Sequence, residues 1–227
     1  MIRRKGRLLS AGLLSWLFLT ACASTPPGRK PSDRQAEQYF RLGQANLAEG
    51  KNQEAIQNLR KSLQLNPKDA DVHAFLGVVC LLLLSDFPGA EKELEEALKL
   101  NPYLTDARNS LGVVYMKTGR GDEARAAFEE SLKDRTYSSP EKILYNLGTL
   151  HLEAKRYPEA LDAFRRAVGA NAAYAKGHFG LGLAYAETGR TEDARTSFQK
   201  VIALEPKSPE AARAREYLAQ KAAPRKD

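Results

Sequence analysis

The residue types that could do chemistry are few in this chain of 227 residues: three histidines, two cysteines and several acidic pairs. A histidine metal site needs a second ligand at fixed spacing, as in His-Glu-x-x-His, where both rings share one helix face. His73, His151 and His178 stand far apart, and none has such a neighbour. Glu95-Glu96 and Glu129-Glu130 fall on the polar faces of helical stretches and read as solvated carboxylates. No Gly-x-Ser-x-Gly elbow presents a nucleophilic serine. No glycine-rich phosphate loop follows a strand, because no stretch alternates convincingly in strand fashion. Cys80 lies in the most apolar run of the body, Leu76–Leu84, where a thiol behaves as a small hydrophobe. The residues therefore imply no catalytic group, no metal and no cofactor, and the expectation is a protein that is not an enzyme.

Cys22 has a different context. The chain opens on Arg3-Arg4-Lys5 and continues into an apolar run from Leu8 to Leu19. That run is shorter than the roughly 20 residues a membrane-spanning helix needs, and fits the core of a secretory signal peptide. It closes on Leu19-Thr20-Ala21-Cys22, which resembles the bacterial lipobox, where a leucine and two small residues direct lipid transfer to the cysteine thiol. The alternative is an ordinary signal peptide cleaved after Ala21 or Ala23. On the lipobox resemblance, residues 1–21 are a lipoprotein signal peptide and Cys22 becomes a lipidated first residue, since only a thiolate forms the thioether. Several acyl chains on one residue give a stable anchor. Ala23 in place of aspartate implies sorting to the outer membrane, facing the periplasm. Residues 22–34, which include the proline-rich stretch STPPGRKPS, read as that lipidated N-terminus and a flexible tether.

The sequence pI near 9.4 invites a nucleic-acid reading, which the charge distribution removes. Of the net +7, residues 1–22 carry +4, residues 23–34 carry +2 and residues 221–227 carry +2, leaving −1 for residues 35–220. A nucleic-acid partner wants a basic face on the folded body, and this body is close to neutral.

The elements that would position any site are repeats. The stretch from Leu181 to Pro206 reads as two amphipathic helices joined at Thr188-Gly189-Arg190, with Thr191 placed to cap the second. A Leu-Gly pair of the same kind recurs with glycines at 43, 77, 112, 148 and 182, spaced 34, 35, 36 and 34. An alanine follows each glycine 12 residues on (Ala55, Ala124, Ala160, Ala194), or 13 for Ala90. Four residues past each alanine stand Leu59, Leu94, Phe128, Phe164 and Phe198. This pattern resembles the tetratricopeptide repeat, in which helix pairs stack on a shared core. The resemblance implies an all-α, right-handed superhelical solenoid over residues 35–222. Its repeats are 36–69, 70–104, 105–140, 141–174 and 175–207, followed by a capping helix at 208–222 with Ala211, Ala212, Tyr217 and Leu218 inward and a disordered tail at 223–227. In the family's register, the three histidines fall at packing positions.

Two units depart from the pattern. The second has an extra residue in its turn, Ser85-Asp86-Phe87-Pro88. The third runs into a longer connection from Lys133 to Glu141, followed by Tyr145-Asn146-Leu147-Gly148. Together with the lipobox and the repeats, that segment resembles the PilF/PilW/Tgl pilotin lipoproteins of type IV pilus assembly.

In this family the first helix of each unit lines the concave face. The positions that do so here are Phe40, Gln44 and Leu47; Val78 and Leu81, with Ala74; Asn109, Val113 and Met116; Tyr145 and Leu152; and Phe179 and Leu183. They make an apolar groove, the kind of surface that marks a protein partner. The pilotin resemblance implies that this partner is the type IV pilus secretin, PilQ, whose localisation and multimer assembly the protein would promote from the outer membrane. The rival expectation is a general envelope adaptor for peptidoglycan hydrolases or proteases.

Overall fold

Residues 30–222 are described by the computed structural model. The signal peptide, Cys22, most of the tether and the 223–227 tail lie outside the described residues. Each amphipathic stretch of the repeats forms one helix. The first pair is α1 (Pro31–Ala48) and α2 (Asn52–Leu65). The second is α3 (Ala70–Val79), extended by a π-helical turn over Cys80–Leu84, and α4 (Phe87–Leu100). Then come α5 (Thr105–Lys117) with α6 (Gly121–Ser131), α7 (Pro140–Glu153) with α8 (Tyr157–Ala170), and α9 (Ala175–Glu187) with α10 (Thr191–Leu204). A last helix, α11 (Pro209–Ala222), stands alone. Within each pair the helices pack antiparallel across a short turn, and the second helix of each pair contacts the first helix of the next. The result is the expected all-α solenoid of five pairs and a closing helix.

The repeated glycines earn their place by close approach. A Cβ built on Gly148 would stand 2.6 Å from Cε1 of Phe164, and one on Gly182 would stand 2.5 Å from the same atom of Phe198. Gly43, Gly77 and Gly112 face Leu59, Leu94 and Phe128 in the same way. Each facing residue is at most 1% exposed, and the five repeat alanines are fully buried beside them. The sequence pattern is thus a pair-by-pair contact: a missing side chain on one helix admits a large one from its partner.

The turn inside every pair is closed by one left-handed residue: Gly50, Ser85, Gly119, Lys155 or Gly189, with φ between 51° and 78°. In four of the five turns the next amide reaches back five residues, as Arg190 N does to Tyr185 O at 2.9 Å, the closure of a Schellman motif. The second unit differs because of its extra residue. There Asp86 N reaches back six, to Cys80 O at 3.0 Å, and the added residue is absorbed by the π-turn. Asp86 also accepts a hydrogen bond from Gly89 N at 3.0 Å and so caps α4.

Three local expectations need correction. Thr191 does not cap α10; the capping position is Arg190, and the Thr191 hydroxyl donates to Gly189 O at 3.4 Å. Residues 31–34, read as tether, form the first turn of α1, because Pro31 suits a first helical position. On α11 the buried alanines are Ala211 and Ala214, while Ala212 is exposed. A three-residue step keeps one helix face, and a one-residue step does not.

Candidate protein-binding groove

The first helices of the pairs share one face, and two apolar hollows run along it. The first, of about 600 Å³, lies between α1, α3, the start of α5 and the connection before α7. Phe40, Ala74 and Val78 line it, as expected, with Phe75, Tyr103, Tyr137 and three aspartates beside them. The Phe40 and Phe75 rings meet edge to face at 5.5 Å, a favourable arrangement for aromatic quadrupoles. The second hollow, of about 440 Å³, lies between α3, α5, α7 and α9. It gathers Val78, Leu81, Asn109, Val113 and Tyr145 from the expected set, and adds Asn146, Tyr174, Lys142 and Lys176. Val78 borders both, so the two hollows are neighbours on this face. Asn146 Nδ2 donates to Asn109 Oδ1 at 3.0 Å, tying α7 to α5 across the groove floor.

Not every expected groove residue is in reach of a partner. Phe179 is only 2% exposed. It packs on Phe198 at 5.7 Å and lies under Arg213 of α11, whose guanidinium stands 4.8 Å from its ring. Leu183 borders a small hollow at that same junction, with Tyr217. The closing helix therefore covers the fifth-unit positions, which a repeat-by-repeat reading treats as open. Leu47 packs against the first core, Met116 against the third pair and Leu152 against the fourth, each half-buried. Gln44 is exposed on α1 but borders neither hollow.

The connection from Lys133 to Pro140 is the main contributor that repeat spacing leaves out. It is pinned to the start of α5: the Thr105 hydroxyl donates to Asp134 at 2.7 Å, and the Tyr137 hydroxyl donates to Asp106. Asp134 also accepts from the Thr136 amide at 2.9 Å and hydroxyl at 2.7 Å. These donors, Thr105 foremost, hold the Asp134 carboxyl below the usual carboxylate range. Tyr137 is half-buried, and burial with the Asp106 contact pushes its phenol well above the ordinary value. The signal in the sequence is the added length itself, which brings Asp134 and Tyr137 into one connection.

Of the residues first considered for chemistry, His73 and His178 have structural partners. His73 Nδ1 pairs with Glu93 Oε2 at 2.6 Å and joins α3 to α4, and its Nε2 meets Pro67 O at 3.1 Å. His178 Nε2 contacts Ala172 O at 3.0 Å. His151 occupies the position held by Tyr115 and Tyr185 in neighbouring units, five residues before an arginine in each case. Arg120 stacks on Tyr115 at 4.2 Å and Arg190 on Tyr185 at 4.4 Å. At the His151 position, His151 Nδ1 and Arg156 Nε are instead buried without a hydrogen-bond partner among the described residues. Burial first, then the Arg156 charge, holds the His151 pKa below its ordinary value. Cys80 is 5% exposed, and burial pushes its thiol up, away from thiolate chemistry. Among the described residues no cluster of His, Cys, Asp or Glu could hold a metal ion, and no helix is long and apolar enough to cross a membrane.

Comparison with known proteins agrees with this architecture. A tetratricopeptide-repeat family model matches residues 109–178, 145–209 and 179–223. Two further models of the repeat match 43–83 and 81–136. The type IV pilus assembly protein PilF of Pseudomonas aeruginosa is 28% identical over 142 residues, covering 63% of this chain and 56% of that protein. The solved structure of Pseudomonas aeruginosa PilF superposes with a TM-score of 0.71 at 22% identity, over 85% of this chain and 88% of that one. PilW, a widely conserved type IV pilus biogenesis factor, gives 0.72 at 19% identity, over 82% and 91%. Five contacts of a glycine with a large apolar side chain in one register, matched by the family's models along the chain, make this protein a member of the tetratricopeptide-repeat family, similar at modest identity to PilF and sharing the fold of PilW.

Proposed function

We propose that this protein is a lipid-anchored scaffold that binds the type IV pilus secretin and promotes its outer-membrane localisation and multimer assembly. The alignment with PilF carries the reading, because it extends over most of the repeat body and not over a single unit. The neighbouring apolar hollows support it, since a scaffold of this kind acts by holding a partner segment and not by making bonds. The lipobox-like Cys22 supplies the second half of the mechanism. A scaffold tethered at the membrane raises the local concentration of whatever the groove holds there.

Two experiments test the two halves separately. Deleting the gene should abolish the heat- and detergent-resistant secretin multimers seen on a gel; multimers at wild-type levels would overturn the assembly role. Cys22→Ser should move the protein out of the outer-membrane fraction, and unchanged fractionation would overturn the anchor.

A further inference from the structure

We infer that the first hollow is a cation-selective subsite, taking a lysine or arginine side chain of the protein partner, flanked by an apolar residue. The inference rests on the groove reading and adds the chemistry of what the groove holds.

Three carboxylates, Asp71, Asp106 and Asp134, border this hollow, and no lysine, arginine or histidine does. None of the three is in an ion pair among the described residues, whereas surface carboxylates elsewhere commonly are: Glu37 with Arg41, Glu96 with Lys99, Glu130 with Lys133, Asp193 with Arg190. Two of the three are oriented, Asp106 by the Tyr137 hydroxyl and Asp134 by Thr105 and Thr136. All the donors they have are neutral. Between the carboxylates lies aromatic surface: the Phe40–Phe75 pair in the wall, and Tyr103, 88% exposed, at the rim. A large ring held that far into water, next to unpaired negative charge, is suited to a guanidinium or ammonium group. The face of the ring and the carboxylates attract the same cation, and arginine can stack and fork at once.

The neighbouring hollow gives the arrangement direction. It is bordered by Lys142 and Lys176, with Glu205 the one carboxylate there. A cationic side chain shifted along the groove by one repeat would meet like charge, so the charge pattern also fixes register. The hollow, of about 600 Å³, has room for a side chain and its neighbours on an open face.

The test uses an array of 12-residue peptides, each with Arg, Lys, Gln or Glu at the centre of a Leu/Phe/Ala background. It is probed with the full chain at low and high salt. We expect Arg- and Lys-centred peptides to be retained at least fivefold over their Gln and Glu counterparts, with the difference shrinking as salt rises. Asp71→Asn, at an exposed position in the first turn of α3, should cut that preference, with at most a small drop in melting temperature from the lost helix-end charge. Asp106→Asn should cut it by about two- to fivefold, the worth of a partly exposed charge pair. Retention of apolar peptides irrespective of the central residue, or an unchanged preference in both variants, overturns the subsite and leaves the scaffold reading standing. Failure to retain any peptide overturns the groove itself. Cation preference that appears only once Arg29 and Lys30 are replaced by alanine would show the chain's own basic segment as occupant, and overturns an external partner.

Discussion

At position 151 a histidine stands where the third and fifth pairs carry a tyrosine beneath an arginine. Here two polar atoms, His151 Nδ1 and Arg156 Nε, are buried and without a hydrogen-bond partner among the described residues. His151→Tyr should rebuild the stack with Arg156 and raise stability by about 0.5–1 kcal/mol, read from urea midpoints at neutral pH. The pH dependence has a definite sign. The folded pKa of His151 is lowered from 6.5, so its contribution is present above pH 6.5 and lost as pH falls below it. The tyrosine variant should therefore lose less stability than wild type between pH 7.5 and 5. A second residue-scale test separates the two kinds of glycine. Gly148→Ala must push on the Phe164 ring and should cost about 1–3 kcal/mol through overpacking. Gly169, also helical, has nothing within 4 Å of an added Cβ. Gly169→Ala should therefore stabilise by about 0.5 kcal/mol.

The element that recurs is the pair closed by a left-handed residue. Three of the five turns use glycine there, and Ser85 and Lys155 hold the same conformation with a side chain. A side chain in that region costs of order 1–2 kcal/mol, part of which glycine returns to the unfolded chain as entropy. Lys155→Gly should then raise the urea midpoint by the equivalent of about 0.5–1 kcal/mol. Gly189→Lys should lower it by a similar amount. Most of this level was legible in the sequence, because the Leu-Gly pair, the alanine and the large apolar residue four positions after it encode one contact repeated five times. What escaped was local. The extra residue near Ser85 was visible, but its absorption into a π-turn at Cys80–Leu84 depends on which carbonyl the Asp86 amide reaches, and spacing does not carry that. Gly180 is another case: it faces the same Phe164 ring as Gly148, a contact between units that a unit-by-unit alignment does not look for.

Across the whole molecule the groove was only half legible. Phe40, Val78, Leu81, Asn109, Val113 and Tyr145 border the two hollows as their repeat positions imply. Phe179 and Leu183 follow the same rule, yet they sit at the α11 junction, because the rule assumes another pair beyond the fifth. The aspartates of the first hollow come partly from the irregular connection, which has no repeat position at all. Removing α11 should expose Phe179 and Phe198, whose rings it covers. At about 1.5–3 kcal/mol for each large apolar side chain, the loss should be about 3–6 kcal/mol. It should be concentrated in the last pair, and urea denaturation alongside binding of a hydrophobic dye would measure it.

The same closing helix constrains how a gene of this kind can lengthen. A duplicated copy of α7–α8 inserted ahead of α9 would present a ring equivalent to Phe164 to Gly180, and the junction would be preserved. A copy placed after α10 would part Phe198 from Tyr217, now 4.6 Å away, unless its own final helix carried an equivalent ring. Unit gain and loss should accordingly be tolerated in the interior and resisted at the carboxyl end, giving the array a direction of growth that the shared register of its units does not suggest.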